Sequence, residues 1–569
     1  MKYIGIDIGD GESAVTVVSE QGTMIPSVVM LGNVASIRSV VGDLNEKPVI
    51  GDSVMLNHAV TNRSVRFKSK FLTEPAARED LRRFANGLYE LFRKSVKDSD
   101  IKIALGCPAQ WPAEARQRYA AIVSSAGFSN VYTVSESRAA FLYAHRSNIM
   151  NVSPALLKRP TLVIDIGSST LDYAYIVDGK ERDVGVFGEN HLGGGILDAL
   201  VLEESIRCAP NEQEIRTALK NSASWKNYCE LLARRLKEEY FSSEEKYADA
   251  PCTTIAPIYA DPSRPLSLKL ALSGEILDRL LDRPVPEMDD KSFRQALLDS
   301  LNRAKGITSE FPVELLIVTG GASRMRFFRE MCTDVFPHAA LALCEEPEFS
   351  IARGLGIAAR TDDMLAQFRG EVAAYFKSGA IEMEVEQQLP HLLPEYIPAI
   401  SKIICKKAVV KAIKEFQGNA SNLEAQVEQS IAAILSDKTE TQEADKIVND
   451  WVGLRLTCTQ DKLNQLCDAY KIDRADMSLV KIHAEVKAPD IHVPWLLRAF
   501  LDKKQLDFLR NLATILAGSP IIGGGLRRRI TRQLLKSSDA LVTELSQKLV
   551  EELQLQIDAQ TQKVEIQIS

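Results

Sequence analysis

Two stretches of the chain share one layout of apolar and polar positions. The first reads KYIGIDIG, then DGE, then SAVTVVSEQG; the second reads TLVIDIG, then SST, then LDYAYIVDG. Each is an apolar run, a tight turn containing Gly, a second run rich in β-branched or aromatic residues, and a polar turn with Gly22 or Gly179. That pattern predicts a β-hairpin in each place. The tetrapeptide Ile-Asp-Ile-Gly stands in both, at Ile6–Gly9 and Ile164–Gly167, and recurrence of a whole unit predicts two related lobes. A further apolar run from Val313 enters Gly320-Gly321, with a helix expected from about Ser323. Beyond residue 360 the period becomes helical, in DMLAQFRGEVAAYF, AISKIICKKAVVKAIKEF, NLEAQVEQSIAAIL, KIVNDWVGLRL and the stretch from Ser537. There Leu541, Leu545, Leu549, Leu553 and Ile557 recur every fourth residue and define one apolar face. The end, Val564, Ile566 and Ile568, alternates like a short strand.

At 569 residues the chain exceeds what one core supports, so two or more domains are expected. A net charge of -7 argues against nucleic-acid binding as the main task, which needs a basic footprint. The nine cysteines are scattered, odd in number and never spaced CxxC, which points to a reducing compartment without disulfide framework or zinc site. The opening MKYIGIDIG lacks the pattern of a secretory leader, and no stretch is apolar for long enough to span a bilayer. A cytoplasmic location is expected.

The turns carry the candidate chemistry. Small residues let backbone N–H groups close on an anion, and a nest of such groups favours phosphate. A carboxylate at the end of the preceding strand can hold a hydrated Mg²⁺ there. Two facing hairpins would bring Asp7 and Asp165 to one metal–phosphate centre. Gly320-Gly321 ahead of a helix offers a third close approach for an anion. Taken singly, each motif reads as an ordinary element of an α/β core; the three together point to a nucleotide.

In this order the three motifs resemble the two phosphate loops and the adenosine loop of the actin-like ATPase superfamily. Intervening segments are most similar to the seventy-kilodalton heat-shock proteins: IPSVVML at Ile25, the stretch from Cys107 to His145, GENHLGGGILD at Gly188–Asp198, and EPEFSIARGLGIAA at Glu346–Ala359. The resemblance implies a two-lobed α/β nucleotide-binding domain of duplicated ribonuclease-H-like domains over residues 1–360. Its lobes would be about 1–160 and 161–360, with a mainly helical domain over 361–569.

The resemblance also implies roles. Asp7 and Asp165 would position Mg²⁺ through water. Gly9, Asp10, Gly11, Gly167, Ser168, Ser169 and Thr170 would wrap the phosphates of ATP or ADP, and Asp172 stands where the family keeps an acid. Glu136 matches a Glu linking nucleotide sensing to closure. Lys68 matches the lysine reaching the γ-phosphate, with Lys70 as the alternative. Gly193, Gly194, Gly320, Gly321 and Arg324 would line the other side of the nucleotide. Lys237 and Glu238 resemble a Lys-Glu pair near ribose and adenine; a solvated helix face is an equal reading of Lys237. Where the family usually has two hydroxyl residues after Gly9, this chain has Asp10 and Gly11. Asp10 would repel the γ-phosphate, bind Mg²⁺ directly or point away, so slow hydrolysis or binding without turnover is expected. The seven histidines are widely separated and read as structural.

The expected function is a chaperone-like, ATP-dependent molecular switch, with the helical region gripping a protein partner or client. Alternatives are a cytoskeletal actin-like ATPase, a small-molecule kinase and a nucleotide-binding pseudo-ATPase adaptor. GGGLRRRITRQLLK, Gly523–Lys536, and the apolar stretch from Val493 could touch a membrane surface or an acidic partner, but a hinge with a solvated basic face and a bundle core are the preferred readings.

Overall fold

The computed structural model describes residues 1–403, 438–481 and 538–564, apart from short gaps at 22–24, 147–152, 154, 179, 183, 185–187, 262 and 345, plus positions 426, 429–430, 433–434, 528 and 531. It divides into two compact units, Met1–Asp362 and Asp363–Ser569. The first is mixed α/β with several sheets, and the second is helical.

Both expected hairpins form. In the first, β1 (Lys2–Ile8) pairs antiparallel with β2 (Glu12–Ser19). Strand β1 also pairs parallel with β3 (Ile101–Cys107), which pairs parallel with β4 (Val131–Ser135). The second sheet repeats this connectivity. Strand β5 (Thr161–Ile166) pairs antiparallel with β6 (Leu171–Val177) and parallel with β7 (Leu315–Thr319), which pairs parallel with β8 (Ala340–Leu343).

Alternation along the central strands gives each sheet two buried faces. Ile4, Ile6 and Ile8 enter one core, and Leu162, Ile164 and Ile166 enter another. The opposite faces, through Tyr3 and Val163, share a third core with Ala139 and Ala140 of α1 (Glu136–Arg146) and Leu355 and Ala358 of a long helix from Pro347. The two sheets are therefore packed through these helices. The helices meet at Gly354, where a Cβ would lie 1.8 Å from the Ala139 carbonyl oxygen, so only glycine permits the approach. Lys47–Ile50, Val40–Leu44 and Thr61–Val65 make a small three-stranded sheet, which packs on α3 (Ala223–Ser242).

The boundary between units falls within the long helix, Pro347–Lys377. In the second unit, the expected helices appear at Lys438–Arg455 and Ser538–Thr561, with Leu545, Leu549, Leu553 and Ile557 buried in its core. The helix Ala380–Ile403 overlaps the start of the expected AISKIICKKAVVKAIKEF helix and contains Pro390, Pro394 and Pro398. Each proline costs about 3 kcal/mol in a helix interior. Their four-residue spacing keeps them on one stripe, while Leu389, Leu392, Leu393, Tyr396, Ile397 and Ile400 on the other faces enter the core. Burial at about 1.5–3 kcal/mol per large apolar side chain outweighs the loss. NLEAQVEQSIAAIL, the end of AISKIICKKAVVKAIKEF, the stretch from Val493, GGGLRRRITRQLLK and the terminal alternation lie wholly or mostly outside the described residues. Among the described residues no helix is long and apolar enough to cross a membrane.

Candidate functional site

The two hairpin turns are closed by the same bond: Gly9 N–H donates to the Glu12 carbonyl at 3.0 Å, and Gly167 N–H to the Thr170 carbonyl at 3.0 Å. They face one cavity of about 1410 Å³ in the first unit. Every residue given a nucleotide role above lines it, Gly193 and Asp172 apart. Gly193 precedes α2 (Gly194–Arg207), and a Cβ there would lie 2.6 Å from Ser169 N. Gly320 has φ of 83°, and its missing Cβ would fall 2.6 Å from Asp165 Oδ1. A side chain there would be strained and would block the carboxylate. The expected helix after Gly320-Gly321 begins as a 3₁₀ turn, Gly321–Arg324, and becomes α-helical only at Arg326.

At one end of the cavity, carboxylates dominate. Asp7 and Asp165 stand next to last in their strands, Asp172 stands opposite Asp165 in the hairpin, and Glu136 opens α1. Burial, then the charge of Glu136, pushes Asp172 up to about 7, with the Thr170 hydroxyl and Lys68 pulling the other way. Asp7 is also pushed up to about 7, chiefly by burial, against the pull of Lys68. Asp165 is held well above the usual carboxylate range by burial and by the charges of Glu136, Asp172 and Asp7. Its Oδ1 is buried without a hydrogen-bond partner.

Lys68 is the buried cation of this end. Its Nζ pairs with Glu136 Oε1 and lies 3.8 Å from Asp7 Oδ1. Burial opposes its charge, but Glu136, Tyr119 and Asp7 outweigh it and hold the ammonium well above its ordinary range. Lys70, the other lysine considered, is half exposed and sits 3.7 Å from Glu74 on the next turn of chain. Both lysines line the cavity, and of the two only Lys68 is buried among the carboxylates.

Asp10 does not point away. It is buried, and its Oδ1 accepts from Lys68 N at 2.8 Å. Its Oδ2 accepts from Ser69 N at 3.0 Å and from Ser169 Oγ at 2.6 Å.

The opposite side is basic. Lys237 is buried rather than a solvated helix face: its Nζ lies 2.7 Å from Asp198 Oδ1 and donates to the Gly194 carbonyl at 2.5 Å. Glu238, one residue on, is at the rim, 3.2 Å from Arg38. Arg324 is exposed and pairs with Glu348 at 2.8 Å. Three neighbours had not been assigned roles. Arg234 Nε binds Asp198 Oδ2 at 3.0 Å, and its Nη1 donates to the Asp10 carbonyl at 3.0 Å. Burial would raise the Asp198 carboxyl, but Lys237 and Arg234 outweigh it and hold it below its ordinary value. Arg66, in a left-handed backbone conformation at φ 58°, donates to the Gly195 carbonyl and pairs with Glu230, both at 2.6 Å.

No family model matches the chain, and no curated protein matches it. A buried carboxylate oxygen without a partner suits a hard divalent cation. Among the described residues no three His, Cys, Asp or Glu side chains come together as a direct ligand cage. An ion that keeps several waters, as Mg²⁺ does, is compatible with this donor set, and Asp7 and Asp165 would be the residues to hold it.

Proposed function

We propose that the first unit binds Mg-ATP and Mg-ADP between the two hairpin turns, in a two-lobed actin-like fold of duplicated ribonuclease-H-like domains, and hydrolyses ATP slowly. The observation that carries this reading is the convergence of Asp7, Lys68, Glu136 and Asp165, drawn from four separate segments, beside two identically closed turns in one cavity. The matching connectivity of the two sheets supports the fold assignment.

Phosphoryl transfer to water needs positioning and charge neutralisation more than a strong nucleophile. Mg²⁺, when bound, supplies charge neutralisation at the phosphates. Asp7 and Asp165 would hold that ion through its waters, and Ser168 and Thr170, which line the same cavity, would lie along the phosphates. Asp165 Oδ1, free of partners, would accept the proton of the attacking water once a bound cation brings its carboxyl down to the charged form. Lys68 balances part of the acidic end while Glu136 holds its ammonium in place. On this reading the cycle is a chaperone-like switch, and the helical unit binds a protein partner. Energy reaches that partner only through different nucleotide affinities of two states.

A second reading, a nucleotide-binding adaptor without turnover, is favoured by the engagement of Asp10 and Lys68 with protein groups. A phosphate-release assay with Mg-ATP separates the two. Slow release that is lost in Asp165→Asn supports the ATPase; binding with no release supports the adaptor.

A further inference from the structure

The Asp10 carboxylate collects three donors from two places in the chain. Lys68 N and Ser69 N come from the segment after the small sheet, and Ser169 Oγ comes from the second hairpin turn, at 2.8, 3.0 and 2.6 Å. Two backbone N–H groups and a hydroxyl converging on one anion are a donor set that also suits a phosphate oxygen. Asp10 itself is fixed from behind: Arg234 Nη1 donates to its carbonyl at 3.0 Å. The neighbouring cation is committed as well, since Lys68 Nζ pairs with Glu136 and lies 3.8 Å from Asp7.

We infer that Asp10 is an internal anion filling the seat of the terminal phosphate, so that the site prefers a nucleoside diphosphate and admits a triphosphate only by expelling this carboxylate. The inference rests on the nucleotide reading of the cavity and adds its ligand class. A third phosphate must displace a carboxylate that keeps three hydrogen bonds, and it must approach Asp7, Glu136 and Asp165 while Lys68 is already paired. A diphosphate has no third phosphate to seat and leaves the three hydrogen bonds of the Asp10 carboxylate in place. The same contact bridges the two hairpin turns, because Asp10 and Ser169 belong to different ones. Expelling Asp10 therefore unties one turn from the other, which makes the third phosphate, and not the nucleoside, the group that changes the cavity.

The test is calorimetric titration of the full chain, wild type, Asp10→Ser and Asp10→Asn, with Mg-ADP and with the Mg complex of a non-hydrolysable ATP analogue. The wild type should bind the diphosphate about tenfold or more tightly than the triphosphate, the scale of one charge-assisted hydrogen bond. Asp10→Ser should reduce that ratio by about tenfold or reverse it, with Asp10→Asn falling between. Circular dichroism melts establish that the variants are folded, and the wild-type ratio tests the inference without any variant. Equal affinities in the wild type, or a ratio unchanged in folded Asp10→Ser, overturn this inference and leave the nucleotide site standing. Absence of binding by either nucleotide to any of the three proteins overturns both.

Discussion

Asp198 Oδ1 lies 2.7 Å from Lys237 Nζ in a pocket where the Asp198 side chain is wholly shielded from water. This pair ties α2, which starts beside the second hairpin turn, to α3, which carries the small sheet on its first half. Arg234 completes the cluster on the other carboxylate oxygen. Removing one partner of a buried, hydrogen-bonded ion group typically costs about 3–5 kcal/mol, because the remaining charges stay buried without compensation. Asp198→Ala should lower stability by an amount in that range, read from urea midpoints. It should also weaken nucleotide binding, since Lys237 and Arg234 lose their anchor. A loss below about 1 kcal/mol would mean water compensates the two cations.

Lys68 and Lys70 should behave in opposite ways. Lys68→Ala leaves Glu136 and Asp7 facing each other without their cation, whereas Lys70 contributes only a solvent-screened contact with Glu74. Phosphate release should fall to background in Lys68→Ala. Lys70→Ala should keep its stability within about 0.5 kcal/mol of the wild type. Comparable losses in both variants would refute the assignment of Lys68.

Acid titration supplies a third test. Asp7 and Asp172 are pushed up to about 7 in the folded chain, and the unfolded value is about 3.9. The folded state therefore binds these protons more tightly. The stability they contribute is complete below about pH 4 and is lost as pH rises through about 7. Without divalent cations, melting temperature should fall between pH 5 and 7.5, and Asp172→Asn should flatten the fall. Mg-ADP should offset it by favouring the charged carboxylates. A melting temperature that rises over this window, equally in wild type and Asp172→Asn, would contradict the placement of these acids.

Arg63 fastens the small sheet to α3. It is buried, donates to the carbonyls of Val54 and Asn57 at 3.2 and 3.1 Å, and lies 4.9 Å from the Trp225 ring centre. Arg63→Ala should cost about 2–4 kcal/mol from lost hydrogen bonds and cation–π contact, read by thermal melting. Tryptophan emission should shift as Trp225 gains water.

Much of the site was legible because its residues sit at punctuation. Asp7 and Asp165 stand next to last in strands that carry a repeated tetrapeptide, and glycines mark close approaches, as at Gly193 and at Gly320 with φ 83°. For Lys237 a solvated helix face was as good a reading as the role the resemblance implies, and only the position of Asp198 on a neighbouring helix removes the solvated face. Arg234 and Arg66 carried no local signal, because their partners lie far off in the chain: Asp10 for one, Gly195 and Glu230 for the other. The character of Asp10 could be read as a departure from the hydroxyl pattern, but its three donors required the fold. The helix with Pro390, Pro394 and Pro398 is stabilised by its buried face, which depends on contacts made elsewhere in the second unit.

The most direct test of a single magnesium–nucleotide centre shared by Asp7 and Asp165 is a calorimetric titration of the full chain with Mg-ADP, beside Asp165→Asn. One site per chain should saturate below millimolar nucleotide and weaken by about tenfold or more in the variant, the scale of one lost charged contact. No heat of binding in the wild type, or identical affinity in folded Asp165→Asn, would contradict it.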